Sequence, residues 1–268
     1  MTEQSFEHSR NQDLAIDARE LGFFYHKDNW IFKNISVPVR RAKIFAILGP
    51  NGCGKTTFLK VILGLLKPRS GTLESNGNIA FVPQLFHVAF AYRALDMVLM
   101  GRAKKIGLFS KPTTLDIQLA MNALELLKIE DLANKPFCEL SGGQRQLVMM
   151  ARALVAEAEM LVLDEPTSAL DLGNQNMLLQ WMMQLSREKD LTVVFTTHLP
   201  HHALTIADDA LLMADNDKYY FGPANEVLNE ENLSEMYGVP LKRFKFEHNG
   251  KIKESLVPVF DSFRHDLL

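Results

Sequence analysis

Cysteine is nearly absent: only Cys53 and Cys138 occur in 268 residues. That excludes a disulfide scaffold and fits a reducing compartment. No apolar run approaches the ~18 residues that span a bilayer, so no membrane helix is expected. Positive charge is not in excess either. Lys and Arg total 29 against 32 Asp and Glu, for a net charge of −3 and a pI of about 6.2. Such a balance gives no electrostatic footprint for nucleic acid. The densest basic stretch, LKRFKF at 241–246, reads as a solvated face or edge strand rather than a binding arm. No internal repeat, low-complexity segment or sustained heptad pattern is visible. The opening MTEQSFEHSRNQD is polar and carries acidic residues, unlike a signal or transit peptide. The expectation is a soluble protein with a polar tail over residues 1–13.

What is present is a sizeable core, since 47% of residues are hydrophobic. Four short runs are apolar on both faces, as buried parallel strands are: KIFAILG (43–49), NIAFVPQ (78–84), MLVLDE (160–165) and LTVVFTTH (191–198). Helical patterns follow the first, over 55–65, and join the third to the fourth, over 170–189. This is the βαβ grammar of an α/β fold with a parallel sheet, which binds ligands at the C-terminal ends of its strands. Residues 86 to about 155 interrupt the alternation. Within 113–129, Ile117, Ala120, Met121, Leu124 and Leu127 recur at helical spacing, with Thr113 or Thr114 as N-cap. KYYFG at 218–222 reads as a strand and 224–238 as helical.

Two motifs carry the chemistry. GPNGCGKT, Gly49 to Thr56, fits G-x-x-x-x-G-K-[ST] and lies between a predicted strand and a predicted helix. Its glycines let backbone N–H groups close around phosphate oxygens. Lys55 reaches the β and γ phosphates and Thr56 offers its hydroxyl to Mg²⁺. MLVLDEP then delivers Asp164 to a strand end, suited to the Mg²⁺ shell. Glu165 follows, on the opposite side by strand alternation, placed to take a proton from an attacking water. A third stretch, LSGGQ at 140–144, opens a helix whose apolar positions are Leu147, Met150, Ala151 and Leu154. A glycine-rich helix entry is a second anion site, and one nucleotide cannot obviously occupy both.

With these motifs the chain resembles the ATP-binding cassette ATPases over roughly residues 14 to 230, LSGGQ between two phosphate motifs being that family's own mark. The resemblance implies a P-loop NTPase fold: a RecA-like α/β core with a mostly parallel sheet and an N-terminal antiparallel β part. The cassette domain would span 14–240, with a helical subdomain inserted at about 86–155 and an extension over 241–268. ATP and Mg²⁺ are implied, held by Gly49, Pro50, Asn51, Gly52, Cys53, Gly54, Lys55, Thr56 and Thr57. Tyr25 matches the aromatic that stacks on adenine, with Phe24 and Trp30 as rivals. Gln84 matches the glutamine that senses Mg²⁺ and the γ-phosphate. Asp171, in SALD, matches the acidic member of the loop linking two nucleotide sites, and His198 the switch histidine. In this family two cassettes meet head to tail. Ser141, Gly142, Gly143 and Gln144 would therefore complete the partner's ATP site, which accounts for the second anion site.

The resemblance also implies separate permease subunits in the membrane and, through them, a substrate-binding protein. The chain would then lie peripherally on the cytoplasmic face of the membrane, with no nucleic-acid partner. DMVLMGR at 96–102 looks like the ATPases of importers for iron chelates, cobalamin, haem or molybdate. A two-component exporter, or a soluble cassette ATPase on ribosomes or DNA, are the alternatives. Phe86, Phe90 and Tyr92 are either a docking patch for the permease or buried. His198, His201 and His202 form a histidine cluster without acidic or cysteine partners at metal-ligand spacing. Cys53 either is a thiolate near a helix N-terminus or fills space.

Overall fold

A computed structural model of the chain describes residues 13–27, 29–84, 91–107, 110–214, 218–248 and 250–260, apart from the side chain at 251. In chain order the strands are β1 (Leu14–Phe24), β2 (Trp30–Arg40), β3 (Ile44–Leu48), β4 (Ser70–Ser75), β5 (Ile79–Val82), β6 (Met160–Leu163), β7 (Thr192–Thr197), β8 (Asp209–Met213), β9 (Tyr219–Pro223), β10 (Leu241–His248) and β11 (Lys251–Pro258). The helices are α1 (Lys55–Ile62), α2 (Ala94–Leu99), α3 (Ala103–Ile106), α4 (Thr114–Leu126), α5 (Gly142–Leu154), α6 (Leu172–Glu188), α7 (Pro200–Ile206), α8 (Ala224–Val227) and α9 (Glu230–Tyr237). No helix among the described residues is long and apolar enough to cross a membrane.

The chain divides into two compact units, one taking Arg40–Ile44 and Ser75–Thr196 with the residues up to Ile16, the other Asp17–Val39, Phe45–Glu74 and Thr197–Leu268. In the first, β5, β6 and β7 run parallel, with Val82 opposite Leu163 and Leu163 opposite Phe195. All four residues of β6 are buried, as apolar strands covered on both faces must be. Helices α2, α4 and α5 pack against one another in the same unit. Thr113 caps α4 in a reciprocal box with Asp116, and Lys128, at φ 56°, lies just past its end. The helix therefore stops at Leu126, short of the expected 129. Ile117, expected on the apolar stripe, is 42% exposed.

In the second unit β2, β1 and β4 form the expected antiparallel N-terminal sheet. Here β3 pairs in parallel with β8, a strand the sequence reading missed, and β8 pairs antiparallel with β9. Helix α1 ends at Ile62 rather than 65 because Gly64, at φ 70°, turns the chain left-handed. The N–H groups of Leu65 and Leu66 then fold back onto the Lys60 carbonyl. The expected single helix over 224–238 is two, since the Asn229 side chain accepts the Asn232 N–H and starts α9 afresh. LKRFKF is indeed strand: β10 pairs antiparallel with β11 as a separate two-stranded hairpin.

Candidate functional site

The phosphate loop lies in the second unit. Buried β3 delivers the chain to Gly49, where a Cβ would sit 2.4 Å from Cys53 Sγ and 2.5 Å from the Met213 carbonyl oxygen. Only glycine fits that close approach. At the other end Gly54 has φ 104° and precedes α1, a conformation open to glycine at little cost. Gly54 brings no capping side chain and no acid lies in the first turn of α1, so the positive end of the helix dipole is left for an anion. Lys55 is buried, its ammonium donating to the carbonyl oxygens of Gly49 at 2.8 Å and Pro50 at 2.9 Å. Cys53 is buried against Gly49, which fits the space-filling reading. Tyr25 is half exposed with its hydroxyl 3.3 Å from Thr57 Oγ1, whereas Phe24 and Trp30 meet edge to face at 4.9 Å. Of the three aromatics, Tyr25 is the one the structure joins to the phosphate loop.

The carboxylates lie in the first unit. Asp164 is buried and accepts the Thr196 hydroxyl at 2.7 Å, while the same Oγ1 accepts the Glu165 N–H at 2.8 Å. Gln84 Nε2 donates to Glu165 Oε2 at 2.9 Å. The alternation argument for Glu165 does not hold: β6 ends at Leu163, and Glu165 has φ 47°. A left-handed backbone, not the pleat, turns this side chain toward Gln84. A non-glycine residue held there is strained, and such strain concentrates at functional positions. Thr196 was not anticipated. The sequence offers little to single it out, since it is one of three threonines, with Thr192 and Thr197, in the six-residue strand β7.

Ser141 is the N-cap of α5, and it forms a capping box with Gln144: the Gln144 N–H donates to Ser141 Oγ and the Ser141 N–H to Gln144 Oε1. Both polar signature side chains are thereby turned on each other. Gly142 is exposed at the tip. At Gly143 a Cβ would lie 3.0 Å from the Ala169 carbonyl oxygen, so LSGGQ and the SALD loop touch through backbone. Asp171 caps α6, accepting the Asn174 N–H at 2.8 Å. Nearby, Gln146 Nε2 is buried with no hydrogen-bond partner among the described residues.

His198 follows β7 and is exposed, its carbonyl accepting the Tyr237 hydroxyl at 2.9 Å. Behind it His202 is buried and packs edge to face on His201, 4.3 Å away. Burial, then the neighbouring His201 and His198, push His202 down to about 4, and burial lowers His201 as well. No group of three His, Cys, Asp or Glu side chains able to hold a metal occurs among the described residues. Taken by residue type, Gln84 and Asp164 of the first unit offer an amide and one carboxylate, and Thr56 of the second offers a hydroxyl. Each is a hard oxygen donor of the kind Mg²⁺ takes, with waters and substrate phosphates filling the rest of its shell. Phe86 and Phe90 lie outside the described residues, and Tyr92 is 40% exposed.

A family model described as ABC transporter matches residues 32–168. The molybdate import ATP-binding protein MolC of Haemophilus influenzae is 42% identical over 92% of this chain and 95% of its own length. A metal-chelate type ABC transporter, solved in an inward-facing conformation, contains a chain 40% identical to this one. The two superpose with a TM-score of 0.86 over 92% of this chain and 98% of that one. The dimeric structure of MJ0796, a bacterial ABC transporter cassette, matches with a TM-score of 0.71 at 25% identity, covering 78% of this chain and 98% of that one.

Proposed function

This chain belongs to the ABC transporter family, and from that premise we propose that it is the ATP-hydrolysing subunit of an importer for a metal oxyanion such as molybdate, or for a metal chelate. The observation that carries hydrolysis over mere nucleotide holding is Glu165, set just past β6 in a left-handed backbone and held by the Gln84 amide at 2.9 Å. In this reading the phosphate loop and Lys55 bind the β and γ phosphates, and Tyr25 stacks on the adenine. Glu165 accepts a proton as water attacks the γ-phosphorus and the bond to the bridging oxygen of ADP breaks. Gln84 orients that water, and His198 contacts the γ-phosphate. Mg²⁺, held by Thr56, Asp164 and Gln84, would neutralise charge on the phosphate oxygens.

Two copies would close around two ATP, each lending Ser141, Gly142, Gly143 and Gln144 to the other, with Asp171 in the loop between the sites. In the capping box Ser141 Oγ and Gln144 Oε1 act only as acceptors, so the Ser141 hydroxyl proton and the Gln144 amide NH2 remain to donate to phosphate, and the α5 dipole favours that anion. The cassette is taken as 14–240, with 86–155 as its helical subdomain. Tyr92 then lies at the edge of the surface that meets the permease at the cytoplasmic face of the membrane. Import is favoured over export by the relative matched along nearly its whole length.

The test is Glu165→Gln. Removing the proton acceptor should lower ATP turnover about 10²-fold or more and trap an ATP-dependent dimer visible by light scattering. A variant that stays monomeric in saturating ATP and hydrolyses it at the parent rate would sink the assignment.

A further inference from the structure

The register of β10 and β11 puts Phe244, Phe246 and Val257 on one face of the hairpin, and Val259 follows directly after β11, its N–H bonded to the Pro240 carbonyl. These four are 55%, 50%, 43% and 44% exposed. The opposite face is occupied near the root, where Leu241 and Leu256 are buried and Glu254 pairs with Arg243 and Lys245, and only Ile252, by the hairpin turn, leaves a large apolar side chain in solvent there. A two-stranded hairpin is marginal by itself in water, and a contiguous apolar strip of this kind marks an interaction surface. Lys253, opposite Phe246, has no described ion-pair partner, and no carboxylate shares this outward face among the described residues. Beside its root, α9 and the turn after it border a groove of about 670 Å³ lined by Glu230, Glu231, Glu235, Val239, Pro240 and one basic residue, Lys242. There Glu230 pairs with Lys242 and Glu235 with Lys218, while Glu231 is exposed with no described partner.

We propose that this face is a contact with a second copy of the chain, made without nucleotide. With Glu230 and Glu235 already paired, Glu231 leaves the groove one carboxylate in excess and Lys253 leaves the strip one cation in excess, so the two complement each other under a two-fold rotation, strip on groove and groove on strip. An anionic lipid surface or nucleic acid would satisfy the strip but be repelled by the groove. An acidic peptide would leave the groove uncovered. Two half-exposed phenylalanines and two valines supply roughly 300 Å² of apolar surface per copy. Applied reciprocally and with the groove, that reaches the low end of specific interfaces, ~1,200 Å² in total, so the contact is weak and reversible. It would hold two cassettes together by their C-terminal ends while the nucleotide sites are apart. It also bears on the switch segment, because β11 packs on α7, which begins two residues after His198, and β10 packs on α9, whose last residue Tyr237 holds the His198 carbonyl.

The experiment is sedimentation equilibrium of the full chain in EDTA without nucleotide, over a wide concentration range. Wild type should associate to dimer. Lys253→Glu and Glu231→Lys should each weaken association at least tenfold, and the double reversal should restore it, which a general loss of folding cannot mimic. Far-UV circular dichroism checks that each variant is folded. The nucleotide-sandwiched dimer is read separately: Glu165→Gln with ATP should still dimerise when Lys253→Glu is added. The proposal is overturned if the wild type is monomeric throughout, if the single reversals leave a nucleotide-free dimer intact, or if the double reversal fails to recover it. It is equally overturned if the chain self-associates only on anionic vesicles.

Discussion

One hydroxyl, Thr196 Oγ1, serves two acidic residues, accepting the Glu165 N–H and donating to Asp164 Oδ1. A hydroxyl has one proton to give and two lone pairs, so both partners can be satisfied at once in a fully buried place. Thr196→Val keeps the shape and removes both bonds. It should cost about 1–3 kcal/mol, lower kcat, and leave KM for ATP within a few-fold, as thermal melts and steady-state kinetics would reveal. Unchanged kcat would show that Thr196 does not position Glu165. His202 makes a second case. It holds its neutral form down to about 4, against 6.5 for an ordinary histidine. Below pH 6.5 the unfolded chain binds a proton that the folded one refuses, so stability falls as the pH drops from about 6.5 toward 4. His202→Phe should flatten the melting temperature over that window, and an equally steep decline in the variant would contradict this. At this scale the sequence revealed Lys55 and Asp164, whose motifs are fixed by glycines and a strand end. It did not reveal Thr196, since threonine in a strand is ordinary. It misplaced the cause of the Glu165 orientation, which a single backbone angle decides.

At the scale of elements, the turn around Arg102 ties three helices together. Gly101 lies so close to α5 that a Cβ would come within 2.0 Å of the Arg152 carbonyl oxygen. The buried Arg102 guanidinium then reaches Asp116 in the first turn of α4, the Val155 carbonyl and Glu157 just past α5. VLMGR thus fastens its own segment to the helix that LSGGQ begins. The Thr113 hydroxyl first, and Arg102 next, hold the Asp116 carboxyl down to about 2. A depressed carboxyl stabilises the fold above its unfolded value near 3.9 and loses that contribution as the pH falls toward about 2. Asp116→Asn should melt lower at pH 7 and show a flatter decline between pH 4 and 2, and parallel melting curves would refute the role. Helix α4 was legible because Thr113 and its apolar spacing agree. Strand β8 was not, because DALLM is too short to distinguish from a helix end. The break between α8 and α9 rests on one asparagine cap. The β10–β11 hairpin escaped notice beyond LKRFKF because its outward face keeps phenylalanine in solvent, which no core pattern announces.

At the scale of the whole molecule, the chain holds a phosphate loop, a pair of acidic residues with their own supports, and a capped glycine entry facing outward. One copy has more anion-binding groups than one nucleotide needs, which is the physical case for working in pairs. Among its described residues no helix is long and apolar enough to cross a membrane. Nothing in the nucleotide chemistry selects a cargo, and the cargo class rests on likeness to relatives. The most direct test of the account is a pull-down of tagged chain from gently solubilised native membranes, with the co-purifying proteins identified and counted by mass spectrometry. The account predicts a polytopic membrane protein in equal amount. Recovery solely from the soluble fraction, with ribosomal proteins or nucleic acid, would contradict the import function and leave only the ATPase.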